Sequence, residues 1–144
     1  MHFLSKLKNL NSQDLLLLVK AVYWTGIASI LILVVPLKRF SFLLGKHMQE
    51  APQSPVSVNH ALLHSIQLAI NRTCRLVPWR CKCYEQAIAA KMILRGYGLP
   101  STFYYGVAID HEKKLIAHAW VQCGDFVVTG RKGMKRFTVV GSFA

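Results

Sequence analysis

Trp79-Arg80-Cys81-Lys82-Cys83-Tyr84-Glu85-Gln86-Ala87 is the stretch around which the rest of the chain falls into place. From Cys83 onward, Ala87, Ala90 and Leu94 recur at i+4, i+7 and i+11, the spacing of one helix face. A cysteine in the first turn of a helix lies in the positive end of the macrodipole, which favours thiolate over thiol and hence nucleophilic chemistry. Downstream, Ile116-Ala117-His118-Ala119-Trp120-Val121 reads as a strand, with a turn at Gly124-Asp125 and a second strand over residues 126–129. A helix-borne cysteine facing a strand-borne histidine is a nucleophile with its base. Cys83 and His118 are therefore the candidate catalytic pair.

Working outward, the Cys83 helix ends near Arg95-Gly96-Tyr97-Gly98, where two glycines offer C-terminal caps. Residues 102–109 are β-rich, residues 110–114 form a polar turn, and residues 137–143 make a last strand. Upstream, Asn59 caps a helix running to Asn71, with Leu62, Leu63, Ile66, Ala69 and Ile70 as its inner stripe. His60 and His64 on that helix read as partly exposed histidines. Before it, residues 49–57 hold Pro52 and Pro55 and form the one clear linker. The boundaries predicted are an apolar helical region over 1–48, the linker 49–57, and a catalytic domain over 58–144. The fold class is α+β, helices first and then an antiparallel sheet of about four strands.

The helical region begins with a short basic amphipathic lead-in over residues 3–13. Asn11 or Ser12 then caps a helix with Asp14 in its first turn. Residues 15–35 are almost wholly apolar and end at Pro36, a length close to that of a membrane span. Lys20 and Tyr23-Trp24-Thr25-Gly26 fit a helix packed on the protein better than one in lipid. Peripheral membrane contact, helped by Lys38, Arg39 and Lys46, stays open. A short apolar helix over 40–44 stops at Gly45.

The chain's 144 residues suffice for one domain with a real core plus a helical extension. Its 53% hydrophobic content is high, and its net charge of +12 comes from 18 basic against 6 acidic residues. The basic residues are scattered apart from Arg131, Lys132, Lys135 and Arg136, and no nucleic-acid motif accompanies them, so a nucleic-acid partner is not expected. No secretory signal with a cleavage site is evident, which points to the cytoplasm, to reduced thiols and to no disulfides. Cys81-Lys82-Cys83 with Cys74 nearby raises the question of zinc, but structural zinc sites show wider and repeated spacing, and no metal is expected. Cys74 and Cys123 read as inert buried thiols.

The succession of Trp79 to Ala90, Arg95-Gly96-Tyr97-Gly98-Leu99-Pro100, Tyr105-Gly106-Val107-Ala108 and Ala117-His118-Ala119-Trp120-Val121 resembles the transglutaminase-like leader peptidases of lasso-peptide biosynthesis. In that family a Cys-Leu-x-x-Ala-Leu helix start precedes Arg-x-x-Gly-Ile-Pro, a Gly-Val strand and an Ala-His-Ala-Trp strand. Tyr84 stands here in place of the usual leucine. The motifs cover residues 72–144, and the apolar N-terminal helices are similar to the family's helical region.

The resemblance implies a transglutaminase- or papain-like core with an N-terminal helical region. It also implies a cysteine protease, without cofactor, that removes the leader from a ribosomally made precursor peptide. A separate asparagine-synthetase-like cyclase then closes the macrolactam ring, and a separate leader-recognition protein presents the substrate. Two other functions stand beside this one: a transglutaminase-like acyl transferase on another peptide, and a membrane-associated scaffold with weak catalysis.

The departure is in the third catalytic member. The family commonly carries an Asp on the strand after the histidine, which falls here near Gly130. After residue 50 the carboxylates are Glu85, Asp110, Glu112 and Asp125 alone. A tight turn at Gly124-Asp125 sets His118 opposite Gly130 or Arg131, with Asp125 some five residues away, too far for a hydrogen bond at about 3.3 Å per residue. Asp125 and Thr129 are the side chains to test as orienting group, with a backbone carbonyl or a water as the alternatives.

Overall fold

A computed structural model describes residues 10–52 and 59–144. Most of the expected lead-in over residues 3–13 and most of the linker lie outside those residues.

Helix α1, Ser12–Val34, starts where the Asn11 side chain accepts a hydrogen bond from the Asp14 amide at 2.7 Å, and it stops before Pro36, whose ring forbids a further turn. Leu17, Ala21, Thr25 and Ala28 form its buried face, set against the next two long helices. Lys20 lays its ammonium 4.4 Å from the centre of the Tyr97 ring, which answers the one charge in an apolar segment. A short helix α2, Leu37–Phe40, and a 3-10 turn, Ser41–Leu44, follow, and Gly45 ends them. Lys46 to Met48 then run along the chain's last strand as an isolated bridge, with Lys46 and Ala144 exchanging backbone hydrogen bonds.

Helix α3, His60–Cys74, is capped by the Asn59 side chain on the Leu62 amide at 3.2 Å, and it buries Leu63, Ile66, Ala69 and Ile70. Helix α4, Cys83–Gly96, is the most enclosed element, with Ala87, Ile88, Ala89, Ala90, Ile93 and Leu94 all buried. Lys91 is buried among them. Its ammonium donates to the Ser101 carbonyl, and burial, then the nearby Arg95 charge, lower its pKa to about 8.

The sheet is antiparallel, in the order β3-β2-β1-β4: β1 is Thr102–Ile109, β2 Leu115–Cys123, β3 Phe126–Thr129 and β4 Thr138–Phe143. Its helix-facing residues Phe103, Ala119, Val121 and Phe143 join α1, α3 and α4 in a single hydrophobic core. Helices precede strands and the strands are antiparallel. This is the α+β architecture, with a cysteine helix packed on a small sheet.

One expectation is overturned. Cys74 and Cys81 form a disulfide, where reduced thiols and an inert Cys74 were expected. Cys74 closes α3 and the chain turns back within seven residues, bringing the two Cα atoms to 5.2 Å, inside the range a disulfide spans. This pairing also removes Cys81 from any Cys-x-Cys metal site. Cys83 and Cys123 are the free cysteines.

Candidate active site

Cys83 is the first residue of α4, and the start of that helix is built around Glu85. The Glu85 carboxylate is buried and accepts from the Lys82 amide at 3.0 Å, one half of a capping box. Arg80 lies against its other oxygen at 3.2 Å. A carboxylate deprived of water needs such partners. One of the two cations flanking Cys83 in sequence is therefore engaged with Glu85. The Gln86 side chain donates to the Cys81 carbonyl at 3.2 Å, and Trp79 reaches across to α1, donating to the Thr25 hydroxyl at 3.4 Å with its ring beside Gly26. The loop before the thiol is thus tied to α1 by Trp79, to α3 by the disulfide and to α4 by Glu85.

His118 is on β2, and alternation along that strand divides its neighbours. Ala119, Val121 and Cys123 point into the helix layer. His118 and Trp120 share the other face, where their rings stack at 5.9 Å and Phe137 sits 5.0 Å from the imidazole. Tyr104 pairs with Trp120 across the strands and stacks on it at 5.4 Å. Gly106, opposite His118, leaves space that a Cβ would lose: one placed there would lie 2.9 Å from both Phe137 and Trp120. This explains the Gly-Val and Ala-His-Ala-Trp segments as two halves of one aromatic cluster.

The histidine and the cysteine come to one cavity at the sheet's edge. Pairing of β2 with β3 shifts by one residue between Val121 and Gln122 and ends at Val121 opposite Thr129. Beyond that point β3 no longer covers β2. A cavity of about 380 Å³ opens there, and both Cys83 and His118 line it, with Gln67 and Asn71 of α3, Gln86 of α4, and Val128 to Lys132.

The imidazole is held by the main chain. His118 Nε2 lies 2.7 Å from the Gly130 carbonyl oxygen. A carbonyl only accepts, so Nε2 carries the proton of that bond and Nδ1 is the nitrogen left to act as base. Neither side chain named as orienting group is seen bonded to the ring. Asp125, at the turn, is exposed and faces His60 at 3.5 Å, and it lines a neighbouring cavity of about 600 Å³ rather than the one holding Cys83. Thr129 lines the cavity shared by Cys83 and His118, but its buried hydroxyl has no partner among the described residues. Of the alternatives left open, the backbone carbonyl is the one seated on the ring, and it belongs to Gly130, the residue set opposite His118. Its φ of +76° is in the left-handed region, and a Cβ there would strike the Ala119 carbonyl and lie 2.6 Å from Trp120 Cβ. A glycine after a strand, next to a histidine lacking its carboxylate, marks the place where backbone comes close.

The family model of the transglutaminase-like superfamily matches residues 31–142. The chain belongs to the transglutaminase-like superfamily. No curated protein and no solved structure matches it. The match takes in the end of α1, the cysteine helix and nearly the whole sheet, so this transglutaminase-like domain includes both candidate residues. The superfamily is typically one of cysteine-dependent enzymes, which accords with a cysteine peptidase or an acyl transferase. What Cys83 and His118 can do together is covalent acyl chemistry.

Proposed function

We propose that this transglutaminase-like chain is the cysteine peptidase that cuts the leader from a ribosomally made lasso-peptide precursor, before a separate asparagine-synthetase-like cyclase closes the macrolactam. The observation that carries the chemistry is the shared cavity: a thiol at the start of a buried helix and an imidazole whose Nδ1 is left available by the Gly130 carbonyl. The substrate assignment is supported by the order and spacing of the cysteine, Gly-Val and Ala-His-Ala-Trp segments.

The steps follow from those atoms. His118 Nδ1 takes the Cys83 proton as sulfur attacks the scissile carbonyl, and the new oxyanion is met by the free backbone N–H groups in the first turn of α4. Lys82 N–H is not among them, since Glu85 holds it. The tetrahedral adduct expels the core peptide's amine, which leaves with the proton from His118, and the leader remains as a thioester on Cys83. Water then gives its proton to His118 and attacks the thioester, releasing the leader's carboxylic acid and the thiol. An amine in place of water would make the same site an acyl transferase.

The test is incubation of the purified chain with precursor and a separate leader-recognition protein, followed by mass spectrometry. Two fragments that together exceed the precursor by one water agree with the proposal, with Cys83→Ala inactive and Cys81→Ala retaining a substantial fraction of the rate. A product joined to an added amine replaces it by acyl transfer, and an unchanged precursor contradicts it. A ribosomal precursor is made in the cytoplasm, which is where we place the reaction. Disulfides are rare there. Thiol-blocking during lysis therefore bears on the location: a reduced Cys74–Cys81 pair agrees with it, and a fully oxidised pair speaks against it.

A further inference from the structure

Helix α1 has two apolar faces, and the core uses only one. Leu17, Ala21, Thr25 and Ala28 are fully buried against α3 and α4. On the other side Leu15, Leu16, Val19, Val22 and Tyr23 and, past Gly26 where the Trp79 ring sits, Ile30, Leu33 and Val34 are exposed, with Ile30 60% and Leu33 80% exposed. Phe42 and Leu43 extend the patch beyond the helix end, with Phe42 73% exposed. Soluble monomers seldom leave so long an apolar surface uncovered.

We infer that this stripe lies on an anionic membrane surface, with α1 in the plane of the interface. Three observations choose lipid over a protein partner. Between Asp14 and Glu50 the chain carries no acidic residue, while Lys38, Arg39 and Lys46 stand exposed next to the apolar patch. Those are the two components of interfacial binding, apolar insertion and attraction to anionic headgroups. The stripe is mostly aliphatic, whereas the residues that anchor protein interfaces are chiefly Trp, Tyr and Arg. The whole chain, at +12, reinforces attraction to a negative surface. A spanning helix is excluded by the other face. α1 is packed on α3, which carries His60, His64, Gln67, Asn71 and Arg72, and crossing the bilayer would drag those groups into hydrocarbon.

This inference is independent of the peptidase chemistry and is read by pelleting of the full-length chain with vesicles. Vesicles of phosphatidylglycerol and phosphatidylcholine should carry the protein down, and those of phosphatidylcholine alone far less. Lys38→Gln and Arg39→Gln should each weaken partition roughly fivefold, the worth of one cation near an anionic surface. Ile30→Ser with Leu33→Ser should weaken it by about tenfold or more, through lost apolar insertion. Both side chains are solvent-exposed, so the variant should keep the wild-type melting temperature, which distinguishes lost binding from lost folding. Protein that stays in the supernatant with anionic vesicles overturns the inference. So does a stable dimer in sedimentation equilibrium that the Ile30→Ser, Leu33→Ser pair dissociates, since the stripe would then be covered by a second copy. Resistance to alkaline extraction from the vesicles overturns the in-plane placement.

Discussion

The imidazole of His118 is held by a main-chain oxygen, the Gly130 carbonyl, and by no carboxylate among the described residues. A carbonyl fixes the tautomer and the ring direction as a carboxylate does, but it carries no full charge to balance the imidazolium formed during proton transfer. Gly130 is what brings that oxygen within 2.7 Å. Gly130→Ala must place a methyl against Ala119 and Trp120 at a positive φ, so it should cost about 3 kcal/mol of stability and most of the activity. Denaturant unfolding of the variant checks the first part, and an unchanged midpoint would mean that the loop adapts freely. Restoring an aspartate at the same position fails for the same steric reason. Asp125→Asn should leave cleavage nearly unchanged, because that carboxylate faces His60 at the surface. A loss of about a hundredfold in kcat without loss of stability would assign Asp125 the orienting role after all. Cys83 and His118 stand out in the sequence because thiol and imidazole are the reactive side-chain types. The sequence left the choice between side chain, backbone carbonyl and water open, since a carbonyl leaves no residue type to read, and the geometry chooses the Gly130 oxygen. The register shift at Val121 was hidden likewise, for a bulge depends on packing rather than on composition.

At the scale of elements, the start of α4 is held by pieces from three directions, and the sequence revealed them unequally. The caps at Asn11 and Asn59 and the span of β1 follow from local rules: a side-chain acceptor before an apolar period, and a β-branched and aromatic run between turns. The Trp79 anchor is tertiary and depends on how α1 packs. The disulfide closes a local loop between residues seven apart, but the compartment expected from the sequence argued against its forming. Trp79 is half-buried, with its ring on Gly26 and its indole N–H on Thr25. Trp79→Ala should therefore lower stability by about 2 kcal/mol and slow cleavage by loosening residues 80–82, while Trp79→Phe should keep most of both. Unfolding and initial-rate measurements on the two variants test this. Equal stability of Trp79→Ala and the wild type would show that the loop needs no anchor on α1.

Across the whole molecule, α1 belongs to the core that supports the cysteine helix. Leu17, Ala21 and Ala28 are buried in the same cluster as Ala87, Ile93 and Phe103. Deleting residues 1–45 should expose that surface and give an aggregating, inactive chain. A soluble and active truncation, judged by size-exclusion chromatography and cleavage, would make α1 a detachable anchor. The apolar run thus has two roles that its composition alone did not separate. One face is core, and the other is exposed. The most direct measurement of the central claim is acid quenching of the wild-type enzyme during turnover of precursor, then peptide mapping by mass spectrometry. The leader's C-terminal acyl group is predicted on Cys83, with none in His118→Ala. Finding the adduct on Cys81 or Cys123, or finding cleavage that persists in Cys83→Ala, would contradict the account.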